Sequence, residues 1–297
     1  MNKKVLVVGS VNIDQTVFTN EAPTPGVTLH AESYLKNIGG KGANQAVASF
    51  LAGGDVYYIC SVGHDDEGEY IANYFRSIHL RHHLAYSPLH TGMAFITTNL
   101  LNGENQILVI KGANSSLNLD FKSLFDEKIK ESDYLLTQLE IPLETVYYLI
   151  REGKRNGLTT ILNPAPYKDL DEEIYPYIDY LVPNEHELDL LVKGNLPLEE
   201  KAKALLTKGV KNVIVTLGDK GSSLINEKRI SRVEPRKVKA IDTTAAGDSY
   251  LGAFVTALSE GKDVIEAMKF ATIASSITVT RKGAINSLPN RKEIEEI

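Results

Sequence analysis

The chain has 297 residues, 43% of them hydrophobic, enough to bury a substantial core in one large α/β domain or two small ones. Its 32 basic and 38 acidic residues give a net charge of −6 and are spread without long runs, so nothing points to a nucleic-acid or membrane surface. A single cysteine, Cys60, excludes an intramolecular disulfide, and the apolar run 5–8 is far too short for a signal-peptide core or a membrane span, so a cytosolic location is expected.

In chain order, short β-rich runs alternate with helical patterns. Residues 5–8 read as a strand followed by a helix over 43–51, residues 56–60 as a strand followed by a helix over 67–78, and residues 134–139 as a strand followed by a helix over 143–156. Strands over 159–162 and 180–182, a helix over 198–208 and a strand over 213–217 continue the rhythm. A strand-like run over 236–241 and an apolar helix over 251–258 follow. This is the pattern of an α/β sandwich of three layers, a mostly parallel sheet with helices on both faces, whose ligands gather at the carboxyl ends of the strands. With no repeat or low-complexity segment, one domain over 1–297 is the simplest expectation.

Two segments break that rhythm. Residues 11–36 and 91–111 have strand character and turn punctuation, Pro23-Thr24-Pro25-Gly26 and Asn102-Gly103, with no helix between their strands. They are expected to be hairpins of a small β-sheet outside the main one, forming a lid over the carboxyl ends of its strands. Its exposed edge and an apolar face of Phe18, Met93, Phe95 and Ile96 would want a partner, which a two-fold homodimer through the lids would supply.

The residues that carry chemistry lie in three places. The first is Asp242-Thr243-Thr244-Ala245-Ala246-Gly247-Asp248-Ser249-Tyr250, small residues followed by an acid at a strand-to-helix junction. Such a junction leaves backbone N–H groups converging on one point, where the helix dipole also favours negative charge. The turn at Ala245 therefore reads as an anion hole. The N–H groups of Ala246, Gly247 and Asp248 would hold charge on a transferring phosphoryl group while the Asp248 carboxylate takes a proton from a hydroxyl. From this stretch alone, a tight turn with Asp248 as a helix cap reads equally well.

The second place is Gly9-Ser10-Val11-Asn12-Ile13-Asp14, which puts Asn12 and Asp14 on one face of an extended chain. The third is Gly39-Gly40-Lys41-Gly42-Ala43-Asn44, a loop running into a helix, without the Gly-x-x-x-x-Gly-Lys-Ser/Thr spacing of a P-loop. Together with Glu140, the side chains of Asn12, Asp14, Lys41 and Asn44 offer donors and acceptors suited to the hydroxyls of a polyol. His79, His82 and His83 lack partners at metal-ligand spacing and read as a solvated helix end.

The runs Gly39-Gly40-Lys41-Gly42-Ala43-Asn44-Gln45 and Asp242-Thr243-Thr244-Ala245-Ala246-Gly247-Asp248-Ser249 resemble the two signature regions of the ribokinase family of sugar and nucleoside kinases. The likeness extends through Pro23-Thr24-Pro25-Gly26, Lys111-Gly112-Ala113-Asn114, Gln138-Leu139-Glu140, Asn163-Pro164-Ala165-Pro166, Asn184 with Glu187, Thr216-Leu217-Gly218 and Thr280-Arg281-Lys282-Gly283, nearly the whole chain in order. It implies a ribokinase-like fold, with the sugar held at Asn12, Asp14, Gly40, Lys41, Asn44 and Glu140 and the hydroxyl activated by Asp248. Asn184 and Glu187 match an element that supports the ATP phosphates and Mg²⁺, in part through water. Thr216, Leu217, Gly218, Asp219, Lys220 and Gly221 match the turn along the nucleotide, with Gly247 and Thr272 beside it. A K⁺ site made largely of backbone oxygens is implied at Asp242, Thr244, Thr278, Arg281, Gly283 and Ser287.

Read without the resemblance, Asn184 and Glu187 are a helix cap and a helix-face carboxylate, residues 218–221 a hairpin turn, and residues 281–283 a basic helix end with a glycine cap. Two positions depart from the family pattern. Ala245 stands where the wider family commonly has glycine, which requires φ to stay negative there. Thr272 stands where other members carry a larger polar residue near the adenine.

The activity implied is ATP-dependent phosphorylation of D-ribose at its 5-hydroxyl, giving ribose 5-phosphate and ADP. The rivals are a kinase for 2-deoxyribose, a fructose-type sugar or a nucleoside, and a non-catalytic sensor of sugar or nucleotide; a sensor would not need Asp248 with its anion hole. The two hairpin segments carry no arginine, only Lys36 and Lys111 as lysines, and the acids Asp14, Glu21, Glu32 and Glu104. A substrate without a phosphate of its own is therefore expected.

Overall fold

The computed structural model describes residues 3–101 and 105–297. The chain runs β1 (Lys4–Val8), β2 (Asn12–Thr19), β3 (Ser33–Gly39), α1 (Lys41–Leu51), β4 (Asp55–Gly63), α2 (Asp66–Ser77), β5 (Arg81–Ser87), β6 (Gly92–Asn99) and β7 (Asn105–Ile110). It continues with α3 (Lys122–Lys130), β8 (Tyr134–Thr137), α4 (Leu143–Arg155), β9 (Thr159–Leu162), β10 (Tyr180–Leu181), α5 (Glu185–Leu191), α6 (Leu198–Thr207) and β11 (Asn212–Thr216). The last elements are β12 (Ser222–Asn226), β13 (Ile230–Val233), α7 (Ala246–Ser259), α8 (Val264–Thr278) and α9 (Arg291–Glu295).

Four consecutive aliphatic residues in β1, without polar alternation, suit a strand covered on both sides, and all four are fully buried. Alternation then divides them. Val5 and Val7 join the core formed with Val47 of α1, Phe254 of α7 and Met268 of α8, while Leu6 and Val8 join that formed with Phe125 of α3, Leu149 of α4 and Leu205 of α6. The sheet between these helical layers has nine strands in the order β13-β12-β11-β10-β9-β8-β1-β4-β5. It is parallel from β11 to β5, with antiparallel pairing only at β12 and β13.

The two hairpins form a separate sheet, β3-β2-β6-β7, in which β2 and β6 pair in parallel from Asn12 opposite Gly92 to Thr19 opposite Asn99. The expected turn at Asn102-Gly103, and Glu104, lie outside the described residues. Phe95 and Ile96 cannot share a face, because neighbouring strand residues point to opposite sides. Phe95 is exposed, whereas Phe18 and Ile96 line a cavity of about 440 Å³ against residues 240–244 and 282–284.

Two expectations fail here. Residues 236–241 form no strand. The ladder stops at Val233, Pro235 has no N–H to extend it, and the next backbone bonds are those of Ile241 and Asp242 to the Val279 carbonyl in the turn after α8. His82 and His83 are on β5, and the His82 ring meets Phe75 edge-on; only His79, with φ 58°, sits at a helix end. Among the described residues no helix is long and apolar enough to cross a membrane.

Candidate active site

The site is assembled by close approach of backbone. A Cβ on Gly252 of α7 would lie 2.5 Å from the Ala48 Cβ and 2.6 Å from the Ser49 nitrogen, so glycine there lets α7 press onto α1. A Cβ on Gly42 would lie 2.5 Å from the Ser10 nitrogen, which pins the start of α1 to the turn after β1. These two contacts bring Asp248, in the first turn of α7, against the first turn of α1. Asn44 Nδ2 donates to Asp248 Oδ2 at 2.9 Å, and Gln45 Nε2 donates to Asp248 Oδ1 at 2.9 Å.

The polar residues expected around a polyol converge on the same place. Glu140 accepts from the Lys41 N–H at 3.0 Å and from the Ser10 hydroxyl. Asn12 Oδ1 accepts from Asn114 Nδ2 at 2.8 Å, and Asn114 is itself fixed by the Val11 N–H and carbonyl. Asn12 is thereby left to present its amide nitrogen. Gly40 adopts φ 89°, which carries the chain from β3 into α1 beside Asn12, and a Cβ on Gly39 would collide with the Asp14 carboxylate.

Charge is concentrated here. Burial first, and then the Glu140 and Asp248 carboxylates, push Asp14 up to about 7. Burial works against the Lys41 ammonium, but Asp248, Glu140 and Glu187 outweigh it and hold its pKa above the usual lysine value. Burial also raises the Glu187 carboxyl, against the Asn184 N–H and Lys41, which favour its charge.

On the other side of Asp248 lies a cleft of about 810 Å³. Asn184, Glu187, Thr216, Gly218, Asp219, Gly221, Gly247 and Thr272 line it, as do Lys41 and Asp248. Leu217 and Lys220 do not: Leu217 packs into the core, and Lys220 points toward Glu185. Asn184 and Glu187 form a full capping box on α5, with bonds of 2.7 and 2.9 Å. The cap and the cleft-lining role coexist because only Glu187 Oε2 is engaged. Thr272 donates its hydroxyl to the Met268 carbonyl at 2.8 Å, so it offers the cleft no free donor.

The anion-hole turn differs from expectation in two respects. Ala245 has φ 60°, in the left-handed region, where the sequence reading required a negative value. The turn needs that conformation so that α7 can start with Asp242 folded back: its carboxylate accepts from the Thr244 and Gly283 N–H groups, both at 2.9 Å. The Ala246 N–H donates to the Thr243 carbonyl at 3.2 Å, which leaves Gly247 and Asp248 as the N–H groups without an acceptor among the described residues. A Cβ on Gly247 would meet nothing within 4 Å, so the approach is open.

Asp242, Thr244 and Gly283 are thus brought together; Thr278 ends α8 with its hydroxyl on Ser249 at 2.7 Å, and among the described residues no hydrogen bond joins Arg281 or Ser287 to Asp242. The Arg281 side chain turns away to Glu293. Among the described residues the carbonyls of Asp242, Thr244, Arg281, Gly283 and Ser287 accept no hydrogen bond, whereas that of Thr278 accepts from the Arg281 N–H. The sequence reading gave Ser10, Gln45, Gln138 and Asn163 no role. All four are buried and bonded to site residues or to one another, and polar types next to the glycine-rich runs were their only signal.

A family model for pfkB family carbohydrate kinases matches residues 2–291. A ribokinase of Haemophilus influenzae is 39% identical over 302 residues, covering 100% of this chain and 98% of the relative. The crystal structure of a ribokinase from Thermotoga maritima matches with a TM-score of 0.93 at 39% identity, covering 100% of this chain and 99% of that one. The structure of Arabidopsis thaliana ribokinase complexed with ribose and ATP matches with a TM-score of 0.89 at 30% identity, covering 100% and 98%. By the family match over residues 2–291 and the full-length likeness to these relatives, the chain belongs to the pfkB family of carbohydrate kinases.

Proposed function

We propose that this chain is a ribokinase, which transfers the γ-phosphoryl group of ATP to the 5-hydroxyl of free D-ribose. The observation that carries the reading is the place of Asp248: its carboxylate lies between the open cleft and the group Asn12, Asp14, Lys41 and Asn44, at a helix start with two N–H groups to give. The sugar sits on the Asn12, Asp14 and Glu140 side, and the nucleotide occupies the cleft. The 5-hydroxyl oxygen attacks the γ-phosphorus, its proton passes to Asp248, and the bond from the γ-phosphorus to the bridging oxygen breaks to release ADP. The Gly247 and Asp248 N–H groups, with the Lys41 ammonium, take up the charge that develops on the transferred oxygens.

Glu187 suits a hydrated Mg²⁺, since its Oε1 has no protein donor among the described residues. When bound with ATP, the ion offsets phosphate charge. The five carbonyls beside Asp242 suit a K⁺ ion, a hard cation with oxygen ligands, which would order the anion-hole turn. The second sheet acts as a lid on the sugar. All six residues of its edge strand β7 are exposed, with Leu108 73% exposed, which favours a homodimer through the lids.

The clustered carboxylates of Asp14, Glu140 and Asp248 disfavour a second phosphate on the sugar. Of the two hairpin lysines, Lys36 is paired with Glu67; Lys282, which lines the cavity under the second sheet, is a cation that weighs the other way and that counting the hairpins alone overlooks. The test is ADP release across D-ribose, 2-deoxyribose, fructose, nucleosides and ribose 5-phosphate. D-Ribose should give the highest kcat/KM, and faster turnover of a nucleoside or of ribose 5-phosphate would overturn the assignment.

A further inference from the structure

Two residues of the glycine-rich signature hold the Asp248 carboxylate, and they do so differently. Asn44 borders the sugar side, and its Oδ1 is buried with no donor among the described residues, an acceptor waiting for a ligand hydroxyl. Gln45 is fully buried, beyond the reach of any ligand. Its Nε2 donates to Asp248 Oδ1 at 2.9 Å and to Asn163 Oδ1 at 3.2 Å, and its Oε1 accepts from Gln138 Nε2 at 2.6 Å.

The polarity of this chain of amides follows from a group that cannot turn round. The Val182 carbonyl only accepts, so Asn163 must give it Nδ2, at 3.0 Å, and turn Oδ1 toward Gln45. Gln45 must then present Nε2 to Asn163 and Asp248, and Oε1 to Gln138. The chain ends at Gln138 Oε1, which has no donor among the described residues. Had Gln45 been free to flip, it would set a carbonyl dipole against the carboxylate instead of a donor.

We infer that Gln45 is a positioning residue for phosphoryl transfer: a relay from the Val182 carbonyl through Asn163, locked by Gln138, fixes its N–H on Asp248 Oδ1. This rests on the reading of Asp248 as the base. Asn44 holds Oδ2 in the same way, so both oxygens of the carboxylate are fixed in place and each keeps a further lone pair for the sugar hydroxyl. The held carboxylate is oriented before the substrate arrives.

The test compares Gln45→Met, close in shape but without a donor, with the parent enzyme in the presence of ribose, ATP and Mg²⁺. One charge-assisted hydrogen bond is lost, so kcat should fall roughly 10- to 100-fold while KM for ribose and for ATP changes less than about threefold. A loss confined to kcat, with both KM values kept, is what a merely structural substitution would not produce. The surrounding charges are the same in parent and variant. Gln138→Leu provides a second variant that never touches Asp248 and also removes the unpaired Oε1. It should lower kcat in the same direction by a smaller factor, which keeps the test open if Gln45→Met does not fold. A folded Gln45→Met protein with parental kcat overturns the inference, as does Gln138→Leu with parental kcat. If those variants are unimpaired while Asp248→Asn is inactive, the positioning role alone fails; if Asp248→Asn is itself active, the assignment of the base fails.

Discussion

Asp14→Asn should stabilise the unliganded protein at pH 8 while weakening sugar binding. The Asp14 carboxyl is raised from 3.8 to about 7 by burial and by Glu140 and Asp248. Its folded value lies above its unfolded one, so the native state holds a proton that the unfolded chain has released between about pH 4 and pH 7. Stability therefore falls as pH rises through that window and stays low above it. At 1.36 kcal/mol for each pH unit, the window from 3.8 to about 7 amounts to about 4 kcal/mol, of which side-chain relaxation should leave roughly 2–4. Asparagine keeps the shape without the charge. With an unfolding entropy of about 2.1 cal/mol/K per residue, its melting temperature at pH 8 should exceed the parent's by roughly 3–6 °C. Thermal unfolding without ligand from pH 5 to pH 8 measures this, with the gap opening toward pH 8, and ribose KM should rise at least about tenfold as a carboxylate acceptor on the sugar side is lost. A variant less stable than the parent at pH 8, or a gap independent of pH, would refute the reasoning.

Ala245→Gly should stabilise the chain slightly. The left-handed alanine costs about 1–2 kcal/mol, and the added freedom of glycine in the unfolded chain offsets about 0.4–1 of that, so a rise of about 1 °C in Tm is expected with kcat nearly unchanged. A marked loss of stability would mean that the turn does not need a positive φ. Replacing K⁺ with Na⁺ at fixed Mg²⁺ should lower kcat, because the free carbonyls of Asp242, Thr244, Arg281, Gly283 and Ser287 suit a larger ion. A rate indifferent to the monovalent cation would remove the site.

The central sheet was legible because its strands are short aliphatic runs between amphipathic helices, as with 5–8 and 143–156. The hairpins of the second sheet were legible because they lack a helix. Residues 236–241 misled because Val238 and Ile241 give a strand its composition, whereas pairing depends on an available edge, and Pro235 stops the chain from using it. Ala245 misled for a related reason: φ is set by how Asp242 folds back onto Thr244 and Gly283, a contact across 41 residues that no local pattern carries. The lid's apolar face was half wrong, because alternation separates Phe95 from Ile96. Among the candidate site residues, those with chemically distinctive side chains at loop ends, Asp14, Lys41, Glu140 and Asp248, stood out in the sequence, and the structure brings them to one place. Gln45 and Asn163 could not, because their function lies in which end of an amide faces a neighbour, and that is fixed by the Val182 carbonyl in three dimensions.

The most direct test of the account is the Asp248→Asn enzyme assayed for ribose 5-phosphate formation alongside calorimetric binding of ribose and ATP. The carboxylate acts as the hydroxyl loses its proton, so its amide should lower kcat by at least about 10³-fold while leaving both binding constants within a few-fold of the parent. Turnover near the parental kcat would contradict the assignment of Asp248 as the base, and with it the mechanism built on that helix start.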